Sequence, residues 1–173
     1  MRNWRVWLSV IVSLALFFIL ISQFLIDEDK LLSNAEEAAK EAFLQEPETA
    51  NQDLEEISLY LPEIMQIEQE TPNNLIVKQV DQLFLLFFNP LEDESSTLYY
   101  DSAKEKNPDP LLLKKFEDGD RVGYLLILKI GDSDLYEVQT GIGGKKMTSQ
   151  TESKNLVETS RAMMEIIRSI KYK

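Results

Sequence analysis

LFLLFFN, at positions 83–89, is the most informative segment of this chain for its architecture. Six of its seven residues are large and apolar, so a sheet with one face in water would leave many of them wet. The run is far shorter than the roughly 20 residues that a helix needs to cross a bilayer. It therefore predicts a central β-strand covered on both faces. In that position Phe87 is a core residue, and its replacement by alanine would cost about 3–5 kcal/mol.

Short apolar or alternating runs flank this segment on both sides, and turn residues such as Thr-Pro-Asn and Asp-Gly-Asp separate them. The runs predict strands at 64–70, 74–80, 96–102, 112–117, 122–130 and 135–142, with a last edge strand at 145–150. The fold class that follows is α+β, with an antiparallel β-meander of about six or seven strands.

The end of the chain predicts an amphipathic helix that packs on this sheet. One stripe of residues recurs at a spacing of three or four and is apolar except at Ser160; it comprises Leu156, Ser160, Met163, Ile167 and Ile170. The favoured role of this helix is to cover the hydrophobic core on one face of the sheet. The alternative is a methionine-bearing face that docks a partner.

The N-terminus predicts a membrane anchor. Val6–Ile26 reads VWLSVIVSLALFFILISQFLI and has no charged residue, and a helix of this length spans a hydrocarbon core of roughly 30 Å. Aromatic side chains are expected to hold it in the lipid bilayer, with the two indoles at the interface; they are Trp4, Trp7, Phe17, Phe18 and Phe24.

The charges on either side of this segment predict its orientation. Arg2 and Arg5 precede it and residues 27–29 are all acidic, so residues 1–5 stay in the cytoplasm and the remainder is extracytoplasmic. A cleaved secretory signal is the alternative. It is disfavoured because its apolar core usually spans about 7–15 residues and ends in small residues, whereas residues 23–26 are Gln-Phe-Leu-Ile. We therefore expect an uncleaved, single-pass signal-anchor in the cell membrane.

Residues 27–57 predict a helical stalk followed by an acidic linker, and residues 58–173 an extracytoplasmic domain. Apolar residues at helical spacing and a capping box from Ser33 to Glu36 indicate a helix over 33–45. This helix is a stalk, a helix packed on the domain, or a juxtamembrane coupling or dimerisation helix. The polar segment 45–57 is the linker.

Composition excludes several classes of function. The 173 residues carry a net charge of −12 and contain neither histidine nor cysteine. An acidic domain is repelled by nucleic-acid phosphates, and Ser–His or Cys–His catalysis needs side chains that the chain lacks. Catalysis by a Ser–Lys pair or by two carboxylates is not excluded by the composition, but no spacing in the sequence points to a particular pair of residues. We expect no enzyme activity, no cofactor and no nucleic-acid partner.

Two motifs resemble ligand-binding sequences but are more typical of turns. Gly141–Lys146 (GIGGKK) has two residues where a P-loop needs four, so it predicts a glycine hairpin with lysines at its tip, with a weak anion site as the minor alternative. The acidic segments 92–94, 118–120 and 132–134 resemble calcium ligands but lack the full EF-hand pattern. Asp and Gly are also what tight turns select, so no metal site is predicted.

Several short motifs, in this order, carry a family resemblance. They are YLPE (Tyr60–Glu63), PNNLIVK (Pro72–Lys78), FFNP (Phe87–Pro90), TGIGGKKM (Thr140–Met147) and IIRSIKY (Ile166–Tyr172). With the anchor and acidic stalk before them, they resemble uncharacterised single-pass membrane-anchored proteins of Bacillus-type Gram-positive bacteria. The outer part, residues 58–173, is also similar to PsbP-like α+β domains. The resemblance implies the fold and no activity, so no site residues carry over.

Two functions remain. The preferred one is a non-catalytic module that binds a protein or cell-envelope component at the outer face of the membrane. The alternative is a sensor or carrier for a small apolar ligand or an ion, held between the sheet and the C-terminal helix. A deep apolar pocket would favour the alternative, and a filled core with an exposed apolar patch would favour the first.

Overall fold

The computed structural model of the chain describes residues 28–173. The anchor predicted at Val6–Ile26 lies outside the described residues. From residue 28 onward, no helix combines the length and the apolar character that crossing a membrane requires. One compact unit comprises Leu31–Lys173.

Three α-helices and ten strands make up the described part of the chain. In order they are α1 (Glu28–Leu44), β1 (Gln52–Asp53), β2 (Ile57–Leu59), β3 (Gln66–Thr71), β4 (Asn74–Gln79), β5 (Gln82–Phe88), α2 (Leu98–Lys106), β6 (Leu112–Asp118), β7 (Arg121–Lys129), β8 (Leu135–Ile142), β9 (Lys145–Glu152), α3 (Leu156–Ser169) and β10 (Lys171–Tyr172), with a 3-10 turn at Ser153–Asn155 before α3.

Seven of the strands form one antiparallel sheet in the order β3-β4-β5-β9-β8-β7-β6. The predicted α+β class, with a seven-stranded antiparallel sheet and a C-terminal helix, is confirmed. A single meander is wrong, because the sheet consists of two meanders, β3–β5 and β6–β9, joined where β5 pairs with β9. The prediction of β9 as an edge strand is wrong for the same reason, since both of its sides are hydrogen-bonded.

The central strand β5 is covered on one face only, which corrects the prediction of two covered faces. Phe84, Leu86 and Phe88 are buried, whereas Leu83 and Leu85 are 48% and 52% exposed. An unbroken apolar run hides this alternation, because both faces of the strand carry the same residue types. The inner face packs on the core, and the outer face of β5 remains accessible.

The helix α3 packs against β8 and β9 on the inner face, as predicted. Met163 and Met164 are fully buried in the core, so a methionine-bearing docking face is not available. After α3, the strand β10 pairs with β2 and completes a small three-stranded sheet, β1-β2-β10.

The helix α1 packs on the domain. Ala35, Ala39, Ala42 and Phe43 are buried in the same core as the sheet, so of the three roles expected for this helix the structure shows the packed one. Within the described residues the helix already includes Glu28, so Ser33 lies inside it instead of at a capping box. The segment predicted as linker contains β1 and the first residue of β2, so part of it is ordered strand.

The strand predicted at 96–102 is wrong, because α2 occupies this region from Leu98. Tyr99 and Tyr100 favour strands intrinsically, but tertiary contacts override such preferences. As a helix, the segment packs both tyrosines and Ala103 against Tyr124 on the outer face of β7. The helix α2 therefore covers one end of the outer face.

Candidate functional site: the open outer face of the sheet

The candidate site is the part of the outer face that α2 leaves uncovered, over β5, β9 and β8. Strand register places its side chains next to one another: Leu85 pairs with Thr148, and Gln150 pairs with Glu137. Outward-facing residues of one face alternate with core residues along each strand. The three strands therefore present a continuous surface whose backbone is already paired, so a ligand here meets mainly side chains.

This surface forms a groove of about 510 Å³ with an apolar floor. Leu83, Leu85 and Leu135 are between 36% and 52% exposed, which is unusual for leucines in the middle of a sheet. The charged lining residues of the groove, Asp81 and Glu137, are both acidic, and no lysine or arginine lines it. The groove is therefore suited to an apolar segment that carries positive charge.

The polar residues of the groove are held by local contacts. Gln139 donates a hydrogen bond to the Glu137 carboxylate at 2.7 Å, and Ser149 Oγ donates to the Leu83 carbonyl at 2.7 Å. Neither contact pairs a nucleophile with a base.

The glycine hairpin forms as predicted, but its first lysine is not at an exposed tip. Gly143 adopts φ +52° in the turn between β8 and β9. The segment between β5 and α2, residues 89–97, is called the crossing segment because it passes over this turn. It passes so closely that a Cβ on Gly143 would lie 2.1 Å from the Asp93 carbonyl oxygen. Lys145 is buried, with 3% of its side chain exposed. The Gly143 amide donates to Val122 at 3.0 Å, so it is not available to an anion.

Lys145 is the buried member of a partly exposed ion cluster that fixes this crossing segment. Glu94 accepts from Lys145 Nζ and from Arg121 Nε, both at 2.9 Å, and Arg121 also pairs with Asp118 at 3.0 Å. Burial lowers the pKa of Lys145. Burial alone would raise the pKa of Glu94, but the charges and hydrogen bonds of Lys145 and Arg121 hold it below its ordinary value. The cluster is structural, since both of its basic groups bind the same carboxylate.

The acidic turns have protein partners. Asp93 accepts hydrogen bonds from the Ser95 amide and hydroxyl at 2.9 and 2.6 Å, and Asp134 accepts from Ser153 at 2.9 Å. Gly119 has φ +58°, as a tight turn requires. Over residues 28–173, no three or more carboxylates, histidines or cysteines come together in a way that could hold a metal.

The site residues expected from the sequence and the observed surface do not overlap. Arg2, Arg5, Trp4, Trp7 and the anchor phenylalanines lie outside the described residues. The leucines of the open face are not among the site residues expected from the sequence. One signal for them is the pairing of apolar Leu85 with polar Thr148 on the neighbouring strand, which only the register reveals.

Comparison with known proteins assigns no family to this chain. No protein-family model matches it, and no curated protein matches it significantly.

Proposed function

We propose that this chain is a non-catalytic binding module, anchored in the cell membrane by Val6–Ile26, which holds a protein partner on the open outer face of its extracytoplasmic domain. One observation supports the proposal: Leu83, Leu85 and Leu135 are exposed on the outer face of a sheet whose inner face carries the main hydrophobic core. Contiguous exposed apolar surface rimmed by polar residues is typical of protein interaction sites.

The partner's chemistry follows from the groove. Its leucine floor favours an apolar segment, and its carboxylates at Asp81 and Glu137 favour lysine or arginine beside that segment. The chain's net charge of −12 works in the same direction by attracting basic partners over longer distances. We therefore infer a protein with a basic and apolar segment, standing at the outer face of the same membrane.

The test is a pull-down from solubilised membranes with the full chain as bait. Leu85→Asp places a charge in the groove floor, and Glu137→Lys reverses its acidic character. Leu91→Asp and Glu105→Lys are matched controls, because Leu91 is 90% exposed in the crossing segment and Glu105 is exposed on α2.

The proposal requires one protein that the wild type and both controls retain and that both groove variants lose. Retention of the same proteins by Leu85→Asp and by the wild type would reject the open face as the binding surface. Association of the bait with its own copies alone would reject a separate partner.

A further inference from the structure

A second concave region lies on the opposite side of the sheet from the groove. It is a cleft of about 250 Å³ between α3 and the segment that joins β2 to β3. Met65, Phe84 and Ala162 form part of its wall, and all three are buried core residues. Phe84 points inward from β5 while its neighbour Leu85 points outward, so the apolar walls of the cleft and of the groove lie on opposite faces of the sheet, and Gln82 lines both.

The charged groups that line this cleft are both carboxylates, Glu158 and Glu165, and no lysine or arginine lines it. Burial raises the pKa of Glu165, and the negative charges of Glu158 and Glu48 raise it further, against the opposing effect of Arg161. Arg161 in turn donates to Glu41 at 2.9 Å. The two lining carboxylates therefore have no basic residue within the lining, and Arg161, which acts on Glu165 from outside it, is itself paired with Glu41.

The polar floor of the cleft also offers acceptors. Gln82 directs its amide nitrogen to Ser149 Oγ at 3.0 Å and to Thr159 Oγ1 at 3.5 Å. Thr159 is also hydrogen-bonded to Thr151 at 3.1 Å. Because both amide protons of Gln82 have partners, a ligand can use only its carbonyl oxygen, which accepts.

We propose that this cleft binds a small organic ammonium ion with an apolar body. An ammonium group supplies up to three donors to the carboxylates and the Gln82 oxygen, and Tyr60 in the lining can face a cation with its ring. The apolar body packs against Met65, Phe84 and Ala162. The volume lies just below the roughly 300–1,000 Å³ of sites for drug-sized ligands, so the ligand is small.

Three probes of similar size and different charge test the proposal on the full chain. They are 2-phenylethylammonium, the neutral 2-phenylethanol and the anionic 3-phenylpropionate. Calorimetric titration gives the affinity, and thermal unfolding shows whether binding stabilises the folded state, as binding to that state alone must. The ammonium ion should bind at least about tenfold more tightly than the alcohol, and the carboxylate should not bind.

Three variants localise the effect. Glu165→Gln removes a lining carboxylate and should weaken ammonium binding by about tenfold. Glu105→Gln makes the same charge change on α2, on the other side of the sheet, and should leave the affinity unchanged. Ala162→Leu fills the cleft and should abolish binding while leaving Glu165 in place.

Each opposite result would overturn the proposal. Such results are equal affinity for the three probes, no binding of the ammonium ion at millimolar concentration, or an equal loss of ammonium affinity in Glu165→Gln and Glu105→Gln. The proposal does not depend on the outer groove. A failure here therefore leaves the partner site untouched, and loss of the partner site leaves the cleft untouched.

Discussion

The inner and outer faces of the sheet are built from alternate residues of the same strands, yet they differ in composition and in cover. On β5 the inner face carries Phe84, Leu86 and Phe88, all buried under helices and loops, whereas the outer face carries Leu83 and Leu85, both about half exposed. The inner face of β5 contributes to the main core and its outer face contributes little burial, whereas on β7 the outer face is buried under α2 at Tyr124 and Leu126. Side chains of the same chemistry are thus buried on one face of β5 and exposed on the other.

The largest expected difference between the faces comes from adjacent residues. Phe84→Ala should lower the free energy of unfolding by about 3–5 kcal/mol, because the side chain is fully buried and leaves a cavity. Leu85→Ala should cost less than about 1 kcal/mol, as for an exposed substitution. Denaturant unfolding of the full chain, followed by circular dichroism, measures both. Similar costs at the two positions would show that the outer face is packed after all.

The ion cluster at the end of the inner face gives the next effect. Glu94→Ala leaves Lys145 buried without its partner, which should cost about 3 kcal/mol. Adding Lys145→Met should recover most of this loss, because an apolar side chain needs no counter-charge in a buried site. Glu105→Ala is the exposed control. A double variant no more stable than Glu94→Ala would show that Glu94 acts through contacts other than Lys145.

Phe87 lies on the outer face beside α2 and should give an intermediate effect. Its ring meets Tyr99 edge-on at 5.9 Å between centroids, and the side chain is only partly buried. Phe87→Ala should cost about 1–2 kcal/mol, since such an aromatic pair adds about 0.5–1.5 kcal/mol to modest burial. The same unfolding measurement checks it. A cost equal to that of Phe84→Ala would restore the expectation of a strand covered on both faces.

The smallest effect concerns acid stability. Because the pKa of Glu94 in the folded state lies below the ordinary glutamate value of 4.5, its contribution to stability is complete above that value and is lost as the pH falls through the folded pKa. Comparing the unfolding midpoints of the wild type and Glu94→Gln between about pH 6 and pH 3 isolates the contribution of the Glu94 charge to stability. The gap between them should shrink on acidification. A gap that widens would mean that the fold does not favour the charged form of Glu94.

Periodicity predicted most elements of this fold because the packed face imposes it. The strands β4, β5, β7 and β8 and the helix α3 all lie within one or two residues of their expected positions. The errors occur where tertiary contacts decide. Tyr99 and Tyr100 favour a strand by propensity, but packing on Tyr124 makes the segment helical.

The candidate site was harder to predict than the fold, for two physical reasons. An apolar run such as Leu83–Phe88 gives no sign of which face is covered. The cover itself also comes from residues distant in sequence, such as α2 and α3. The burial of Lys145 was equally hard to predict from the sequence. A lysine next to a glycine turn is expected at an exposed tip, but its ammonium group lies 2.9 Å from the Glu94 carboxylate, which is distant in sequence.

The most direct test of the central claim is photocrosslinking from the open face in intact membranes. A photoreactive phenylalanine analogue at position 85 lies in the groove floor, and the same analogue at position 91 is the exposed control. We expect an adduct with one partner protein from position 85 only, and its loss when Glu137→Lys is added. No adduct, an adduct equally strong from position 91, or an adduct with a second copy of this chain would contradict it.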